Sequence, residues 1–199
     1  MAGISVAKKV RDARDRHKEE ERAQREKRLD ELFTELDSSG DGVLEAAEVK
    51  ILLQGLADGK EPAEEELTFI MRTIGHKNKE KITRAQLTQA IESWTLYLQE
   101  FGSDDSAGKV LFEKYDKSKT GKLDHEELKS LLIDLAGRDV SQEDVDWIMA
   151  KADVLGDGMI AKIELSQAIA LWLQRLASDA EAQASRTTTS SSSRACAIL

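Results

Sequence analysis

The stretch DSSGDGVLEAAE, residues 37–48, is the most informative pattern in this chain for predicting its fold. Oxygen-bearing side chains stand at its first, third, fifth, ninth and twelfth positions, and a glycine stands at its sixth. A second stretch, DKSKTGKLDHEE at residues 116–127, repeats that order. Calcium takes about six to eight oxygen ligands in a flexible shell, and a glycine in mid-loop allows the sharp turn that such a shell requires. The two stretches, named loop 1 and loop 3, therefore predict two calcium-binding loops, each between two helices.

Loops 1 and 3 resemble those of the EF-hand proteins of the calmodulin superfamily, and the resemblance covers residues 28–177. It implies an all-α fold in which four helix–loop–helix hands pair into two lobes, with a short β-ribbon between paired loops. It also implies the calcium ligands. Those of loop 1 are the side chains of Asp37, Ser39, Asp41 and Glu48, the carbonyl of Val43, and Glu45 directly or through water. Those of loop 3 are the side chains of Asp116, Ser118, Thr120, Asp124 and Glu127 and the carbonyl of Lys122.

Loop 3 is predicted to be the weaker of these two sites. Thr120 replaces the usual carboxylate at the fifth position, and Lys117, Lys119 and Lys122 add positive charge. Fewer negative ligands predict weaker calcium binding. For both loops the alternative is an Asp- and Gly-rich connection that binds no ion, and the complete ligand order argues against it.

The sequence also repeats itself at an offset of 78 residues. LTQAI at residues 87–91 with Trp94 recurs as LSQAI at residues 165–169 with Trp172, so the repeating unit is a pair of hands. At their helical spacing, Trp94, Trp147 and Trp172 are predicted to lie in the cores rather than in a binding groove. The predicted organisation is a charged helical extension at 1–27, a first pair of hands at 28–101, a linker at 102–108, a second pair at 109–177 and a disordered tail at 178–199.

Pairing of hands requires two further loops, and the first of them is altered. Loop 2, GHKNKEKITRAQ at residues 75–86, has lysines at its third, fifth and seventh positions and Gln86 in place of the last glutamate. These cations repel calcium, so loop 2 is predicted to bind none and to serve as structure. Its Ile82 should pair with Leu44 across the ribbon.

Loop 4, DVLGDGMIAKIE at residues 153–164, has two interpretations. It has Leu155 at the third position and an alanine at the ninth. The ninth ligand often acts through water, but the third is a direct one, so a structural loop is the favoured interpretation. The alternative is a weak site for a third calcium ion. Its ligands would be Asp153, Asp157, the carbonyl of Met159 and Glu164.

Composition limits the function classes. With 199 residues, 40% of them hydrophobic and one of them proline, the chain is long enough for one or two small helical domains. The net charge of −9 argues against nucleic acid as a partner. No nucleophile–base constellation or phosphate loop is visible, which argues against an enzyme and a small-molecule substrate. A single cysteine excludes internal disulfides and is typical of a reducing compartment.

The last four residues, CAIL from Cys196, resemble a prenylation box, and the final leucine suggests a geranylgeranyl group. The polar stretch at residues 185–195 would expose the thiol to a transferase. The alternative is an unmodified tail. Basic residues between positions 8 and 18 could assist at an anionic membrane, although a solvated helical extension is the favoured interpretation. The predicted location is the cytoplasmic face of a membrane, and the alternative is a soluble cytosolic protein.

Together these features predict a calcium sensor. In sensor hands, calcium reorients the helices and opens an apolar groove that binds a target protein, typically through an amphipathic helix. Two alternatives use the same fold. A calcium buffer would bind the ions without opening, and a regulatory subunit or scaffold would hold its partner with or without calcium.

Overall fold

The computed structural model describes residues 3–75 and 81–192, with side chains for residues 8–75 and 81–181. The chain forms two compact lobes, Met1–Leu96 and Tyr97–Leu199, with the boundary inside one helix. The elements that begin in the first lobe are α1 (Gly3–Leu36), β1 (Val43–Glu45), α2 (Ala46–Leu56), α3 (Glu64–Ile74), β2 (Lys81–Thr83) and α4 (Arg84–Phe101). The second lobe continues with α5 (Ala107–Tyr115), β3 (Lys122–Leu123), α6 (His125–Ala136), α7 (Gln142–Ala152), β4 (Ile160–Ala161) and α8 (Lys162–Ser192). The predicted all-α fold of paired hands is confirmed.

An antiparallel two-stranded ribbon joins the two loops of each lobe. In the first lobe Leu44 of β1 faces Ile82 of β2, which confirms the predicted pairing. In the second lobe Leu123 of β3 faces Ile160 of β4. All four side chains are fully buried, so each ribbon is fixed to the core of its lobe. The ribbon therefore holds two loops side by side on a rigid base.

Each lobe is closed around one buried tryptophan. The indole N–H of Trp94, in α4, donates to the carbonyl of Leu53 at 2.9 Å. The indole N–H of Trp172, in α8, donates to the carbonyl of Leu132 at 3.1 Å. These bonds satisfy the polar atom of each ring inside an apolar core. Trp94 and Trp172 are thus core residues, as predicted, and Trp147 is half-buried against the second core.

Helix α1 runs without a break from the charged extension into the first hand. The side chains of residues 8–28 are exposed on every side, and the first buried side chain is that of Phe33. Arg84 of α4 binds this helix through Asp30 at 2.5 Å and Glu26 at 3.2 Å. Phe33 and Leu36 bury the last turn of α1, and these ion pairs attach the polar turn before it, which has no apolar face to bury.

The predicted linker at 102–108 lies between two separate helices, because α4 ends before it and α5 begins near its end. A Cβ at Gly102 would collide with the carbonyl oxygen of Leu98, which explains a glycine where α4 stops. Ser106 is the N-cap residue of α5, and its hydroxyl donates to the carbonyl of Ser103 at 2.8 Å. The connection is thus a defined turn.

Helix α8 extends to Ser192 and so includes the first part of the segment at 178–199. Residues 177–184 contain four alanines, and extending an existing helix through alanine needs no new nucleation. Residues 193–199, with Cys196, lie outside the described residues, so the prenylation box stays a prediction. Within the described ranges, no helix combines the length and apolar character that a membrane crossing requires.

Candidate metal centres

Loop 1 is folded around the carboxylate of Asp37. Its Oδ1 accepts hydrogen bonds from the N–H of Gly40 at 2.8 Å and from the hydroxyl of Ser39 at 3.1 Å. Its Oδ2 accepts from the N–H of Gly42 at 2.9 Å. Gly40 and Gly42 have φ of +70° and +81°, a region that glycine adopts without strain. The sequence predicted the second of these glycines as the turn residue, and the structure adds the first.

Glu48 closes loop 1 from its far end. Its Oε1 accepts from the N–H and the hydroxyl of Ser38, at 2.9 and 2.8 Å, and its Oε2 accepts from the N–H of Glu45 at 3.0 Å. These donors, the N–H of Glu45 foremost, hold the pKa of Glu48 below its ordinary value. Glu48 is therefore ionised at neutral pH, as a carboxylate ligand must be.

Loop 3 repeats this scaffold with different side chains. Asp116 Oδ1 accepts from the N–H of Thr120 at 3.0 Å, and its Oδ2 accepts from the N–H of Gly121 at 2.9 Å. Glu127 Oε1 accepts from the N–H of Ser118 at 2.8 Å. Burial acts to raise the pKa of Glu127, but hydrogen bonds led by the N–H of Ser118 outweigh burial and lower it. The predicted first and last ligands of loop 3 are thus both held by inward-facing N–H groups.

Asp124 of loop 3 has a structural role beside its predicted one. Its carboxylate accepts from the N–H of Glu127 at 2.9 Å, while its own N–H donates to Glu127 Oε2 at 3.1 Å. This reciprocal capping box fixes the start of α6. In the same loop Lys119 adopts φ of +56°, where loop 1 has a glycine. Loop 3 therefore reaches the common backbone shape with some strain at its fourth residue.

Loop 4 has the same backbone scaffold without the full ligand set. Asp153 accepts from the N–H of Gly156 at 2.5 Å and of Gly158 at 2.8 Å. Glu164 accepts from the N–H of Leu155 at 2.8 Å, and it is fully buried. Burial raises the pKa of Glu164, the opposite of Glu48 and Glu127. Because the backbone N–H of Leu155 supports the scaffold, the loop keeps its shape although its third side chain offers no oxygen.

In the described part of loop 2, residues 75 and 81–86, the amide of Gln86 makes the main side-chain contacts. Gln86 Oε1 accepts from the N–H of Thr83 at 2.9 Å, and its Nε2 donates to the carbonyl of Ile74 at 2.5 Å. The glutamine thus accepts the same kind of backbone hydrogen bond as the glutamates of the other loops, without their charge. Lys77 and Lys79, on which the predicted repulsion rests, lie outside the described residues.

Two lysines cross the ribbons, and sequence reasoning missed their contacts because it assigned each lysine to its own loop. Lys81 Nζ lies 3.0 Å from Asp41 Oδ2 and 3.1 Å from Glu45 Oε1. Lys122 Nζ lies 2.6 Å from Asp157 Oδ2. The hydrogen bond to Asp41, followed by that to Glu45, raises the pKa of Lys81. The ammonium of Lys81 therefore stays charged, and both ammonium groups lie against carboxylates of the facing loop.

Loops 1 and 3 fit calcium by the chemistry of their donors. Each carries, within twelve residues, a carboxylate at either end and hydroxyl or carboxylate oxygens between them. Among the described side chains, no three His, Cys, Asp or Glu residues form a ready metal cluster, so a calcium shell here would also need hydroxyl and carbonyl oxygens. Loop 4 has the two end carboxylates, but not the third-position oxygen. Loop 2 ends in an uncharged amide.

Comparisons with known proteins agree with this geometry. Residues 26–92 and 105–170, more than half of the chain, match the family described as an EF-hand domain pair. A myosin-ID light chain of Dictyostelium discoideum is 30% identical over 133 residues, which cover 65% of this chain and 82% of that one. A calmodulin-like protein of Oryza sativa subsp. japonica is 25% identical over 130 residues, which cover 65% of this chain and 74% of that one.

Among solved structures, a redox protein from Chlamydomonas reinhardtii matches with a TM-score of 0.42 and 23% identity. The match covers 75% of this chain, which spans about half, 49%, of that protein. The family match by itself is sufficient, because it covers both pairs of loops. The chain therefore belongs to the EF-hand domain pair family and is a calcium-binding regulatory protein.

Proposed function

We propose that this chain is a calcium sensor that binds one ion in loop 1 and one in loop 3 and acts on a protein partner as a regulator rather than an enzyme. The observation that carries the proposal is the position of Glu48 and Glu127. Each lies in the first turn of the helix that leaves its loop, and each accepts hydrogen bonds from the beginning of the same loop. A shift of either carboxylate would therefore move the start of its helix.

The residues that would hold the ions are the predicted ligands. Calcium, when bound, supplies a compact double positive charge for oxygen atoms to coordinate. On calcium binding, Glu48 and Glu127 would give up hydrogen bonds from backbone N–H groups and coordinate the ion instead. Helices α2 and α6 would move with them, because each carboxylate belongs to the first turn of its helix. Asp37 and Asp116 would anchor the opposite ends of the loops.

Calorimetric titration of the full chain with calcium tests the stoichiometry. We expect two ions. Glu48→Gln should remove one and Glu127→Gln the other, because the amide keeps the size of the side chain and removes its charge. The matched control is Glu164→Gln, which should leave two ions bound. A stoichiometry of zero or four contradicts the proposal, and a third ion lost with Glu164→Gln would assign calcium to loop 4.

An apolar groove in the first lobe supports a protein partner. It has a volume of about 390 Å³ and lies between α1 and α2. Its apolar lining residues are Leu32, Leu36, Ile51, Leu52 and Leu56. Ile51 is 62% exposed, and Glu35 lies on the same groove. With a net charge of −9, this chain suits an amphipathic helix that has an apolar face and basic flanks. One relative is by name a light chain of a myosin, which supports a protein target.

A synthetic amphipathic peptide with a leucine face and lysine flanks tests this groove. We expect it to bind more tightly with calcium than with a chelator, and we expect Ile51→Glu to weaken binding. The matched control is Leu96→Glu, since Leu96 is another apolar residue of the first lobe with 59% exposure. Equal binding with and without calcium would favour a constitutive subunit. No binding in either condition, with calcium still bound, would favour a buffer.

We further propose that Cys196 carries a prenyl group that tethers the sensor to the cytoplasmic face of a membrane. The support is the sequence: the only cysteine is followed by Ala197, Ile198 and Leu199. One lipid chain gives reversible attachment, and the basic residues between positions 8 and 18 could add electrostatic attraction.

Mass spectrometry of protein made in eukaryotic cells tests the tether. An unmodified Cys196 with the last three residues still attached contradicts it. Cys196→Ser should release the protein from membranes at any calcium concentration. Removal of residues 1–18 should weaken attachment only mildly and only at low salt, since salt screens the attraction.

A further inference from the structure

Lys81 and Lys122 occupy equivalent places in the two lobes. Each stands at the seventh position of its loop, and each reaches the fifth-position aspartate of the loop across the ribbon. Lys81 of loop 2 lies 3.0 Å from Asp41 of loop 1, and Lys122 of loop 3 lies 2.6 Å from Asp157 of loop 4. In one lobe the lysine is on the second loop, and in the other it is on the first. Paired loops are related by an approximate twofold axis, so a lysine at the seventh position of either loop can reach the fifth position of the other.

We propose that Lys81 and Lys122 are tethered cations that compete with calcium for Asp41 and Asp157 and thereby raise the calcium concentration at which the facing loop responds. The part that concerns loop 1 rests on the proposed function. The fifth position supplies a direct ligand in this type of loop, so a cation held there and a calcium ion need the same oxygen atoms.

The contacts in loop 1 show which of the predicted calcium ligands the ammonium of Lys81 engages. Lys81 binds two of the predicted ligands, Asp41 through Oδ2 and Glu45 through Oε1 at 3.1 Å. The other oxygen of Asp41, Oδ1, accepts from the N–H of Val43 at 3.1 Å. Coordination through Asp41 would therefore either break a contact with Lys81 or place a divalent ion beside an ammonium group, and both are unfavourable.

The size of the effect is limited by solvent. The side chains of Lys81 and Asp41 are 31% and 40% exposed, so water and salt screen their attraction. Removal of the charge should tighten calcium binding by about two- to tenfold. This range is large enough to move the response of a sensor, yet too small to abolish the site.

The arrangement treats the two candidate calcium loops differently. Loop 1 has the larger set of carboxylates and faces Lys81. Loop 3 has the smaller set, and the seventh position of its partner, loop 4, is the uncharged Met159. The ammonium of Lys122, a residue of loop 3, instead contacts Asp157 of loop 4, which already lacks a ligand at Leu155. The tethered cations therefore bring the affinities of loops 1 and 3 closer together and hold loop 4 further from binding.

Competition titration against a chromophoric chelator tests the proposal in a full-length chain that carries Glu127→Gln, so that loop 1 reports alone. Lys81→Gln should tighten calcium binding by about two- to tenfold, with a smaller gain at high salt. Lys81→Arg should leave the calcium affinity of loop 1 close to that of the chain with Lys81, because arginine keeps the positive charge. Lys60→Gln is the matched control, since it removes one positive charge at the other end of α2 from loop 1.

The outcomes separate this proposal from the proposed function. Equal affinities for Lys81→Gln and Lys60→Gln overturn the tethered cation and leave loop 1 as a calcium site. If the chain with Lys81 binds no calcium in loop 1 but Lys81→Gln does, the proposed site fails in the natural sequence and the competing cation is the reason. If neither binds, both proposals fail.

Discussion

The two lobes build the same loop pair from different residues, and the difference separates shape from charge. In all four loops the twelfth side chain accepts a backbone N–H from its own loop: Glu48, Glu127 and Glu164 do so as carboxylates and Gln86 as an amide. The shape therefore needs an acceptor at this position, but not a negative charge. Calcium needs the charge as well. The twelfth residue can thus make this hydrogen bond without the charge that calcium binding requires.

The lobes also differ in where the crossing lysine lies. In the first lobe Lys81 of loop 2 contacts loop 1, which has the larger set of carboxylates, and in the second Lys122 of loop 3 contacts loop 4, which lacks the third-position oxygen. We therefore expect the two lobes to respond to calcium over more similar concentrations than their ligand counts indicate.

Replacement of the central tryptophans should give the largest effect. Trp94→Ala and Trp172→Ala should each destabilise their own lobe by about 3–5 kcal/mol, because each removes a large side chain from a core and leaves a carbonyl without its donor. Unfolding in urea, followed by circular dichroism and by the fluorescence of the remaining tryptophans, should resolve a weakened lobe from an intact one. Leu96→Ala, at an exposed site, is the control. Simultaneous unfolding of both lobes in either variant would contradict independent cores.

Restoring the missing oxygen of loop 4 should make the second lobe bind a second ion. Leu155→Asp supplies the third-position ligand on a scaffold that is already formed. Calorimetry should detect this ion as a weak one, because Lys122 still lies on Asp157, and the further change Lys122→Gln should strengthen it. Leu155→Ala is the control, since it removes the leucine without adding an oxygen. Absence of the extra ion in the double variant would show that the leucine is not what prevents binding.

Arg175 should matter more to the second lobe than an ordinary surface cation. It lies 2.6 Å from Asp144, whose side chain is only 15% exposed, and 4.9 Å from the ring centre of Trp147. Arg175→Gln should destabilise the lobe by about 1–2 kcal/mol at neutral pH, because it leaves a mostly buried carboxylate with fewer partners. Urea unfolding with a chelator present would measure this loss.

The loss should depend on pH with a defined sign. Burial acts to raise the pKa of Asp144, but hydrogen bonds from Ser141 and Arg175 outweigh it and hold the pKa below the ordinary 3.8. The stabilisation is therefore present above about pH 3.8 and disappears as the pH falls through the lowered pKa. The difference between Arg175→Gln and wild type should shrink below that pH. A difference that grows in acid would contradict this assignment.

An exposed set of ion pairs in the first lobe should have the smallest effect. Arg84 joins α4 to α1 through Asp30 and Glu26, whose side chains are 67% and 57% exposed. Arg84→Gln should therefore cost no more than about 1 kcal/mol, and less at high salt. Hydrogen exchange at the end of α1 would show whether this helix loosens locally. A loss of stability as large as that of Arg175→Gln would mean that the solvent exposure of the carboxylate partners does not explain how much each arginine contributes.

Much of this architecture follows from short-range sequence patterns. The pairing of Leu44 with Ile82 and the core positions of Trp94 and Trp172 agree with the sequence prediction. The first follows from aligning one loop on another, and the second follows from the spacing of apolar residues along a helix. Helix α8 shows what packing adds, because a helix that starts in the core of the second lobe continues through the alanines that follow as far as Ser192.

From the sequence alone one can tell which loops carry a calcium ligand set. The ligands lie within twelve residues, and the position of each residue in the loop determines whether its side chain faces the ion. Only the tertiary structure decided where Lys81 and Lys122 point, since Asp41 and Asp157 lie 40 and 35 residues away from them along the chain. Such contacts require the ribbon register and the packing of both loops on one core. The physical reason is that a ligand order is local, whereas a charge acts on whatever the fold places beside it.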